Sequence, residues 1–479
     1  MRRSLRLVPL VAALLVPACK QGPDFARPAP PAASAGYGQT GAGRALLAEG
    51  PQGKWWEAFG SAELNALVEQ ALAHNPSLAA SNATLEAARQ RIREVAGRSL
   101  PQVDANARAE HEKINLAAFG FDPSTFPGIT NPELELYTVG SGVTYDLDLF
   151  GRNARALEQV RAQAEAQAHQ TAAAHLTIAG RVVTQVLTIA ALGDRLAAVN
   201  QLVDAGTRNV KLTDARRIAG EGTLVEVLAA QSRLSEERAQ IPGLEQQLAE
   251  ARAMLAVLLG ISPAELPATR FSLSTFRLPS QVPVALPSAL VHKRPDILSA
   301  EARLHAATAA VGVATAELYP NVTIGANLSQ SAPHLADVFS SGFRGFDLFA
   351  GATAPIFHGG TLRARKRGAE AEARAAAATY RQTVLEAFGQ VSTLLSALDT
   401  DARALAAERE SASLAERSLD LSRKSYQIGN SGVLQVLEAT RANERARLAL
   451  VDAQARQALD TARLYVATAG GWLEDGATP

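Results

Sequence analysis

The sequence predicts an α+β membrane protein in which a unit of one strand hairpin and two long helices occurs twice in tandem. Markers of the first half of the chain recur in the second half at nearly constant spacing. Four short segments alternate apolar and polar residues, and they lie between long helix-forming runs. With 479 residues, 47 % of them apolar and 20 % charged, the chain is long enough for two or three structural units.

The internal repeat is marked by prolines and glycines. Pro76 and Pro101 are 25 residues apart, and so are Pro295 and Pro320. The first prolines of the two copies are 219 positions apart, whereas two glycine pairs are 209 apart, so the first copy has about ten more residues in its hairpin. The glycine pairs are Gly151 with Gly360 and Gly220 with Gly429.

Each copy is predicted to contain a helix, two strands, an uninterrupted helical run and a return helix. The uninterrupted runs, Asn153–Arg217 and Leu362–Gln427, contain no proline, and about 65 residues of helix would extend roughly 100 Å. Thr223 and Ser431 are candidate N-caps of the return helices, and an apolar residue at every seventh position of the first return helix predicts coiled-coil packing. The turns before these helices carry the glycines Gly220, Gly222, Gly429 and Gly432.

The alternating segments are candidate strands with lipid on one face and water on the other. They run along Val103–Glu110, Tyr137–Leu149, Asn321–Leu328 and Phe346–Ile356. A half-buried sheet on a soluble core would alternate in the same way. After the N-terminal stretch no segment has 18 consecutive apolar residues, so any membrane crossing would use strands. Four strands cannot close a membrane barrel, but three chains would supply twelve strands and two chains eight.

The N-terminus, residues 1–18, reads as an export signal. Three arginines precede a short apolar stretch, Leu7–Val16, and Cys19 follows a small residue. This pattern predicts cleavage before Cys19 and attachment of lipid to its thiol; a plain secretory signal with an incidental cysteine is the alternative. Cys19 is the only cysteine, which excludes an intramolecular disulfide.

Charge and motif content argue against several function classes. The net charge is zero, so no broad basic field attracts nucleic acid. The eight histidines are scattered, and the sequence contains no His-Glu-x-x-His, no Gly-x-x-x-x-Gly-Lys and no Gly-x-Ser-x-Gly. We therefore expect no enzymatic activity, no metal site and no cofactor other than a covalent lipid on Cys19.

Three motifs carry a family resemblance that runs from about residue 19 to residue 472. Gly22-Pro23-Asp24-Phe25-Ala26-Arg27-Pro28, then Trp55-Trp56-Glu57-Ala58-Phe59, then Leu286-Pro287-Ser288 with Arg294-Pro295-Asp296-Ile297 and Ala300-Glu301 occur in this order. They resemble motifs of the outer membrane factor family, the TolC and OprM type, in its lipoprotein, NodT-like branch.

The resemblance implies a homotrimer with a twelve-stranded β-barrel that is continued by a long α-helical coiled-coil barrel in the periplasm. It implies a lipid-anchored protein of the outer membrane that docks with a periplasmic adaptor and with an inner-membrane pump, usually of the resistance–nodulation–division class. The implied function is a passive exit duct for small molecules such as drugs. A type I secretion channel and a periplasmic structural coiled-coil lipoprotein are the alternatives.

The resemblance also implies site residues at the periplasmic end. Leu434 and Glu438 match the apolar and acidic gate positions, Gln435 matches a further gate position that is acidic in TolC-like relatives, and Glu226 is the counterpart of Gln435 in the first copy. The turns with Gly220, Gly222, Gly429 and Gly432 would dock the adaptor. Alternatively, Glu226 and Glu438 only stabilise helix N-termini through the macrodipole.

The predicted organisation follows the repeat. It comprises the signal peptide (1–18), a lipid-anchored extended segment (19–60), the first hairpin and long-helix repeat (61–260), an equatorial linker (261–285), the second repeat (286–472) and a C-terminal tail (473–479).

Overall fold

The computed structural model describes residues 20–29, 45–48, 53–119, 128, 130–279, 282–285 and 290–469. The chain divides into two compact units, and each unit contains residues of both repeats. The strand unit comprises Met1–Arg27, Ala87–Glu165 and Ala302–Ala378. The helical unit comprises Pro28–Glu86, Ala166–Glu301 and Thr379–Pro479. The predicted signal peptide and the predicted C-terminal tail lie outside the described residues.

Six strands and seven α-helices are found in the described part of the chain. The strands are β1 (Ala45–Ala48), β2 (Gln102–Lys113), β3 (Glu133–Asp146), β4 (Val282–Ala285), β5 (Asn321–Ala332) and β6 (Arg344–Thr353). The helices are α1 (Ala62–His74), α2 (Pro76–Gly97), α3 (Arg152–Ile218), α4 (Leu224–Leu259), α5 (Pro295–Ala316), α6 (Thr361–Gln427) and α7 (Val433–Thr468). The long helices α3 and α6 have 67 residues each and the return helices α4 and α7 have 36 each, as expected for two copies of one unit.

The strand unit contains a four-stranded antiparallel sheet in the order β2-β3-β5-β6. The central pair β3 and β5 joins the two repeats, with Tyr137 opposite Ala332 and Asp146 opposite Thr323. All four predicted strands are confirmed, but β3 and β6 end three residues before Leu149 and Ile356, the ends that the alternation predicted.

Two local features explain these early ends. Asp148 has a φ of 46° and its carboxylate accepts hydrogen bonds from the backbone N–H groups of Asn153 and Ala154, both at 2.9 Å, at the start of α3. Asp148 therefore caps α3, and the chain leaves the strand before it. After β6, Pro355 has no N–H to donate to a neighbouring strand.

The core of the helical unit is centred on α3. Val182, Val183, Val186 and Leu187 are fully buried in a cluster that also contains the Trp55-Trp56 pair. By length and composition α3 is the one described helix that is apolar enough to cross a membrane, but 56 % of its most apolar window is buried inside the protein. That burial is typical of the core helix of a folded domain.

Two of the sequence motifs contribute to packing in the helical unit. Trp55 stacks on Tyr465 of α7, with ring centroids 5.7 Å apart. At the start of α5, Arg294 forms a two-pronged ion pair with Asp296, at 3.0 and 2.6 Å, and donates a hydrogen bond of 2.9 Å to the carbonyl oxygen of Ala467. These residues hold helices from different parts of the chain together.

The return helices begin differently in the two repeats. Thr223 caps α4 as predicted: its hydroxyl accepts from the N–H of Glu226, and the Glu226 carboxylate accepts from the N–H of Thr223 at 2.9 Å. The prediction that Ser431 caps α7 is wrong. The N-cap is Gly432, which has no side chain to accept a bond, and Ser431 lies one residue too early.

The side-chain cap of α4 and its absence at the start of α7 can be tested with a matched pair of substitutions. Thr223→Ala removes the side-chain cap of α4 and should cost about 1 kcal/mol locally, so amide hydrogen exchange in the first turn of α4 should become roughly five-fold faster. Ser431→Ala should leave exchange in the first turn of α7 unchanged, because Ser431 does not cap that helix. Equal effects of the two substitutions, measured by mass spectrometry, would contradict the assignment.

Candidate functional site: the two-faced sheet and the helical turns

One face of the four-stranded sheet is apolar and exposed. Strand register places apolar side chains side by side, for example Val103 opposite Val143 and Leu328 opposite Phe346. Phe346 and Leu348 are 80 % and 77 % exposed. A large contiguous apolar face without a covering layer indicates contact with lipid or with another protein.

The other face of the sheet is polar. Thr138 and Ser331 are hydrogen-bonded at 3.0 Å, and Asn327 donates to Asp347 at 3.1 Å. Thr323 donates to Asp146 at 2.6 Å near the end of the sheet that continues into α3. These bonds leave a surface of hydroxyl, amide and carboxylate groups, which is suited to contact with water.

The two outer strands of this sheet have only one neighbour each among the described residues. β2 pairs with β3, and β6 pairs with β5, but β2 and β6 do not pair with each other. Half of the backbone N–H and C=O groups of each outer strand therefore point away from the sheet. The single chain presents an open sheet, not a closed one.

In the helical unit the two predicted turns have the same backbone geometry. After α3, Gly220 donates to the Arg217 carbonyl at 3.1 Å and Glu221 donates to the Arg216 carbonyl at 2.9 Å. After α6, Gly429 and Asn430 repeat this pattern at 3.0 and 2.9 Å, with the carbonyls of Tyr426 and Ser425 as acceptors. Gly220 and Gly429 have φ values of 78° and 80°, which favour glycine in this type of helix ending. Gly222 and Gly432 follow in the same two turns.

The gate residues that the resemblance implied lie directly after these turns. Leu434 is 66 % exposed, Gln435 is exposed, and the Glu438 side chain is 60 % exposed. Glu438 accepts a hydrogen bond of 2.5 Å from Arg441, one turn further along α7. Glu226 differs from them, because its carboxylate is engaged in the cap of α4. The arrangement of Glu226 thus agrees with the alternative interpretation, a helix-capping role.

A polar layer that the sequence analysis did not predict lies between α3, α4, α6 and α7. It is a few helical turns away from Gly220 and Gly429. A cavity of about 210 Å³ is lined by residues of α3, α4, α6 and α7. The charged and amide groups around it are Arg208, Asn209, Arg233, Glu237, Arg423, Arg441 and Glu444. Asn443 of α7 lines a groove that adjoins this cavity. Asn209 Oδ1, Glu237 Oε2 and Asn443 Oδ1 are buried without a hydrogen-bond partner.

Burial raises the pKa of Glu444 to about 7, and the Glu237 carboxylate adds to this effect, whereas Arg233 and Arg423 oppose it. Burial likewise raises the pKa of Glu237. One signal in the sequence pointed to this layer. The seven-residue stripe is apolar in α4, with Val227 and Leu234 buried, but the corresponding stripe in α7 contains the buried Asn443.

Among the residues that the structure describes, no group of three or more histidine, cysteine, aspartate or glutamate side chains is placed to hold a metal ion. The predicted lipid-bearing residue, Cys19, lies outside the described residues. The features that stand out among the described residues are the two-faced sheet, the glycine turns and the polar layer.

The chain was compared with known families and proteins. The family model "Outer membrane efflux protein" matches residues 67–261 and 286–470, which is one match in each repeat. The pyoverdine export outer membrane protein OpmQ of Pseudomonas aeruginosa is 32 % identical over 422 residues, 88 % of each chain. Nodulation protein T of Rhizobium leguminosarum is 28 % identical and covers 98 % of this chain and 94 % of its own length.

Solved structures agree with these matches. The outer-membrane channel OprN superimposes with a TM-score of 0.82 at 29 % identity, over 95 % of this chain and all of its own. The MtrE outer membrane channel of Neisseria gonorrhoeae, in its open state, gives a TM-score of 0.82 at 25 % identity, over 94 % of this chain and 98 % of its own. The chain belongs to the outer membrane efflux protein family, and it is an outer-membrane channel that serves as the exit duct of an efflux system.

Proposed function

We propose that three copies of the chain close into one passive tube, with a twelve-stranded β-barrel in the outer membrane and an α-helical barrel in the periplasm. The observation that supports this most directly is the open, two-faced sheet. Its outer strands need partners in lipid, because unpaired backbone groups in the hydrocarbon region cost several kcal/mol each. Further copies of β2 and β6 supply such partners, and lipid then contacts the apolar face while water fills the bore.

The proposal includes partners at both ends. A periplasmic adaptor contacts the turns at Gly220, Gly222, Gly429 and Gly432, and an inner-membrane pump of the resistance–nodulation–division class supplies the energy. A lipid on Cys19 anchors the N-terminus in the outer membrane. No catalysis, metal or further cofactor is needed, because the duct only conducts what the pump delivers.

The cargo is proposed to be small molecules, drugs included. The relative OpmQ is described as a pyoverdine export protein, and a relative of Pseudomonas putida as a toluene efflux pump component. The polar face of the sheet carries hydroxyl, amide and carboxylate groups, and a wide water-filled bore lined by such groups discriminates little among small molecules. Selection then rests with the pump.

The trimer can be tested on the purified outer-membrane protein. We expect an unheated sample to migrate in detergent gels at about three times the 50.3 kDa chain mass and a boiled sample as a monomer, because intersubunit strand pairing in barrels resists detergent. The same sample should produce discrete conductance steps in planar bilayers. A monomer without conductance, released from membranes by removal of the lipid anchor, would instead indicate a structural coiled-coil lipoprotein.

The gate is proposed to lie at the start of α7, where Leu434, Gln435 and Glu438 follow the Gly429 turn; Glu226 at the start of α4 is its counterpart in the first repeat. Three symmetry-related Leu434 side chains narrow the bore, and three Glu438 carboxylates attract cations. The exposure of Leu434 and Glu438 in the single chain supports this assignment. Glu226 contributes mainly through the α4 cap.

Glu438→Gln tests the acidic ring. The substitution keeps the size of the side chain and removes one charge per chain. We therefore expect the cation-to-anion permeability ratio in planar bilayers to fall toward one. Glu63→Gln is a matched control, because Glu63 is also exposed in the helical unit but lies in α1, away from the turns. An unchanged permeability ratio in Glu438→Gln would reject the role of this residue.

Because of the polar layer, the stability of the helices next to this gate is expected to depend on pH. The pKa of Glu444 in the folded protein, about 7, lies above its ordinary value of 4.5. Below pH 4.5 the carboxyl is protonated in both the folded and the unfolded chain. Between pH 4.5 and 7 only the unfolded chain loses the proton, so the folded state becomes less favoured as the pH rises.

Accordingly, the thermal stability of the helical region should fall between pH 5 and pH 8 in the wild type, and Glu444→Gln should flatten this part of the profile. Circular dichroism melting of the detergent-solubilised trimer measures the effect. Glu245→Gln is the control, since Glu245 is an exposed carboxylate on α4 and its replacement should leave the slope intact. The same slope in wild type and Glu444→Gln would show that Glu444 is not responsible.

A further inference from the structure

Residues 20–25, which we call the strap, follow Cys19 directly and lie against the start of α3. The Gln21 N–H donates to the carbonyl oxygen of Phe150 at 3.3 Å. From the other side, the Arg155 guanidinium donates to the Gln21 carbonyl through Nε at 3.1 Å and to the Gly22 carbonyl through Nη2 at 3.4 Å. Nη2 also forms an ion pair with Asp24 at 2.7 Å. A single side chain thus binds three residues of the strap.

The strap fits into a closely matched notch. Gly22 has a φ of 89°, and a Cβ atom placed on it would lie 2.5 Å from the Cα of Gly312 in α5. A Cβ atom placed on Gly312 itself would lie 2.8 Å from the side chain of Arg155. Two residues without side chains therefore allow the strap, α5 and the arginine to come together, and any substitution at Gly22 would push the strap out.

The arginine itself is fixed by a second set of groups. Its side chain is 2 % exposed, and Nη1 donates to Glu158 at 2.8 Å. His305 Nε2 lies 3.1 Å from the other Glu158 oxygen, and the Phe25 ring stacks on His305 with centroids 4.4 Å apart. Burial alone would raise the pKa of Glu158, but the hydrogen bonds from His305 and Arg155 outweigh it and lower the pKa. The guanidinium thus keeps an ionised partner.

The strap begins beside the end of the sheet that is rich in exposed apolar and aromatic residues. Lys20 lies against Gly151, where a Cβ atom would be 3.0 Å from the Lys20 Cα. Next to Gly151, Phe150 stacks on Tyr319 with centroids 4.8 Å apart. Beyond β6 at the same end of the sheet, Ile356 and Phe357 are 96 % and 87 % exposed. Aromatic and apolar residues at the ends of membrane strands mark the interface between lipid and water.

We propose that Arg155 is a positioning residue for the membrane anchor: it fixes the strap so that the lipid on Cys19 enters the bilayer beside the interfacial residues of its own chain. This inference rests on the proposed acylation of Cys19. Cys19 directly precedes Lys20 in the chain, so the anchor is attached one residue before the strap. The acyl chains then add to the contact between each chain and the bilayer at the level where the sheet ends.

The fraction of molecules in which the strap has left its notch can be measured by proteolysis. Chymotrypsin should cleave after Phe25 only when the strap leaves its notch, so the cleavage rate reports the population of the open form. We expect Arg155→Gln and Gly22→Ala to speed this cleavage at least about ten-fold in the detergent-solubilised trimer. Arg152→Gln is the control, since Arg152 is partly exposed and pairs only with Asp146, at 3.6 Å, in the described region. Equal rates in all four proteins would overturn the proposal.

A second measurement separates positioning of the lipid from simple stabilisation of the fold. The temperature at which the trimer dissociates is compared for the wild type and Arg155→Gln, each in acylated form and as Cys19→Ala exported with an ordinary signal peptide. If Arg155 acts through the anchor, its replacement lowers this temperature more in the acylated pair than in the unacylated pair, where only the loss of the buried ion pair is felt. Equal lowering in both pairs means a merely structural arginine and overturns the proposal.

The mass of the N-terminal peptide separates a failure of the proposed acylation of Cys19 from a failure of the positioning role of Arg155. Acyl chains on Cys19 in the wild type and in Arg155→Gln are the expected result. A wild-type peptide without acyl chains would overturn the lipid-anchor part of the proposed function and the positioning role with it. Gly22→Ala keeps the test decisive if Arg155→Gln does not fold, because it dislodges the strap without changing any charge.

Discussion

The open edges of the four-stranded sheet are the constraint on which the rest of the structure depends. β2 has 12 residues and β6 has 10, so about half of them, roughly eleven in all, direct backbone groups away from the sheet. At several kcal/mol per unsatisfied group in lipid, one chain alone is excluded from a bilayer by tens of kcal/mol. Duplication lengthens the sheet to four strands but does not close it, so the proposed closure by further copies would make oligomerisation a condition for membrane insertion.

The sequence motifs of the family serve this architecture and not the conducted cargo. Trp55 packs on Tyr465, Arg294 joins the start of α5 to the end of α7, and the Gly22 segment is held by Arg155. Each motif lies where distant parts of the chain must meet, and each needs particular side chains to do so. The strand residues of the polar face, which would line the bore of the proposed trimer, need only be polar, so many sequences satisfy this requirement and no motif arises there.

Much of the fold could be predicted from the sequence because its signals are periodic and local. Alternation predicted the strands, and the proline-free runs predicted α3 and α6 to within one residue at each end. The strand ends were less predictable, since Asp148 leaves the strand to cap a helix. For the polar layer around Glu444 the only signal was Asn443 in the seven-residue stripe of α7, and the Arg155 notch had none. The layer draws its members from four helices and the notch from three segments, and they become neighbours only after folding.

The two helical turns show where duplication leaves room for movement. Their backbone bonds are the same, and both need glycine at the left-handed position. Thr223 and Glu226 then lock the first turn of α4 reciprocally, whereas α7 begins at Gly432 without a side-chain cap. Glycine in place of a capping side chain leaves the first turn of α7 less stable by only a few tenths of a kcal/mol, roughly 0.3. The proposed gate residues Leu434 and Glu438 lie within two turns of that start. The pair α6 and α7 can therefore rearrange at slightly lower cost than the pair α3 and α4, although the matching helices have equal lengths.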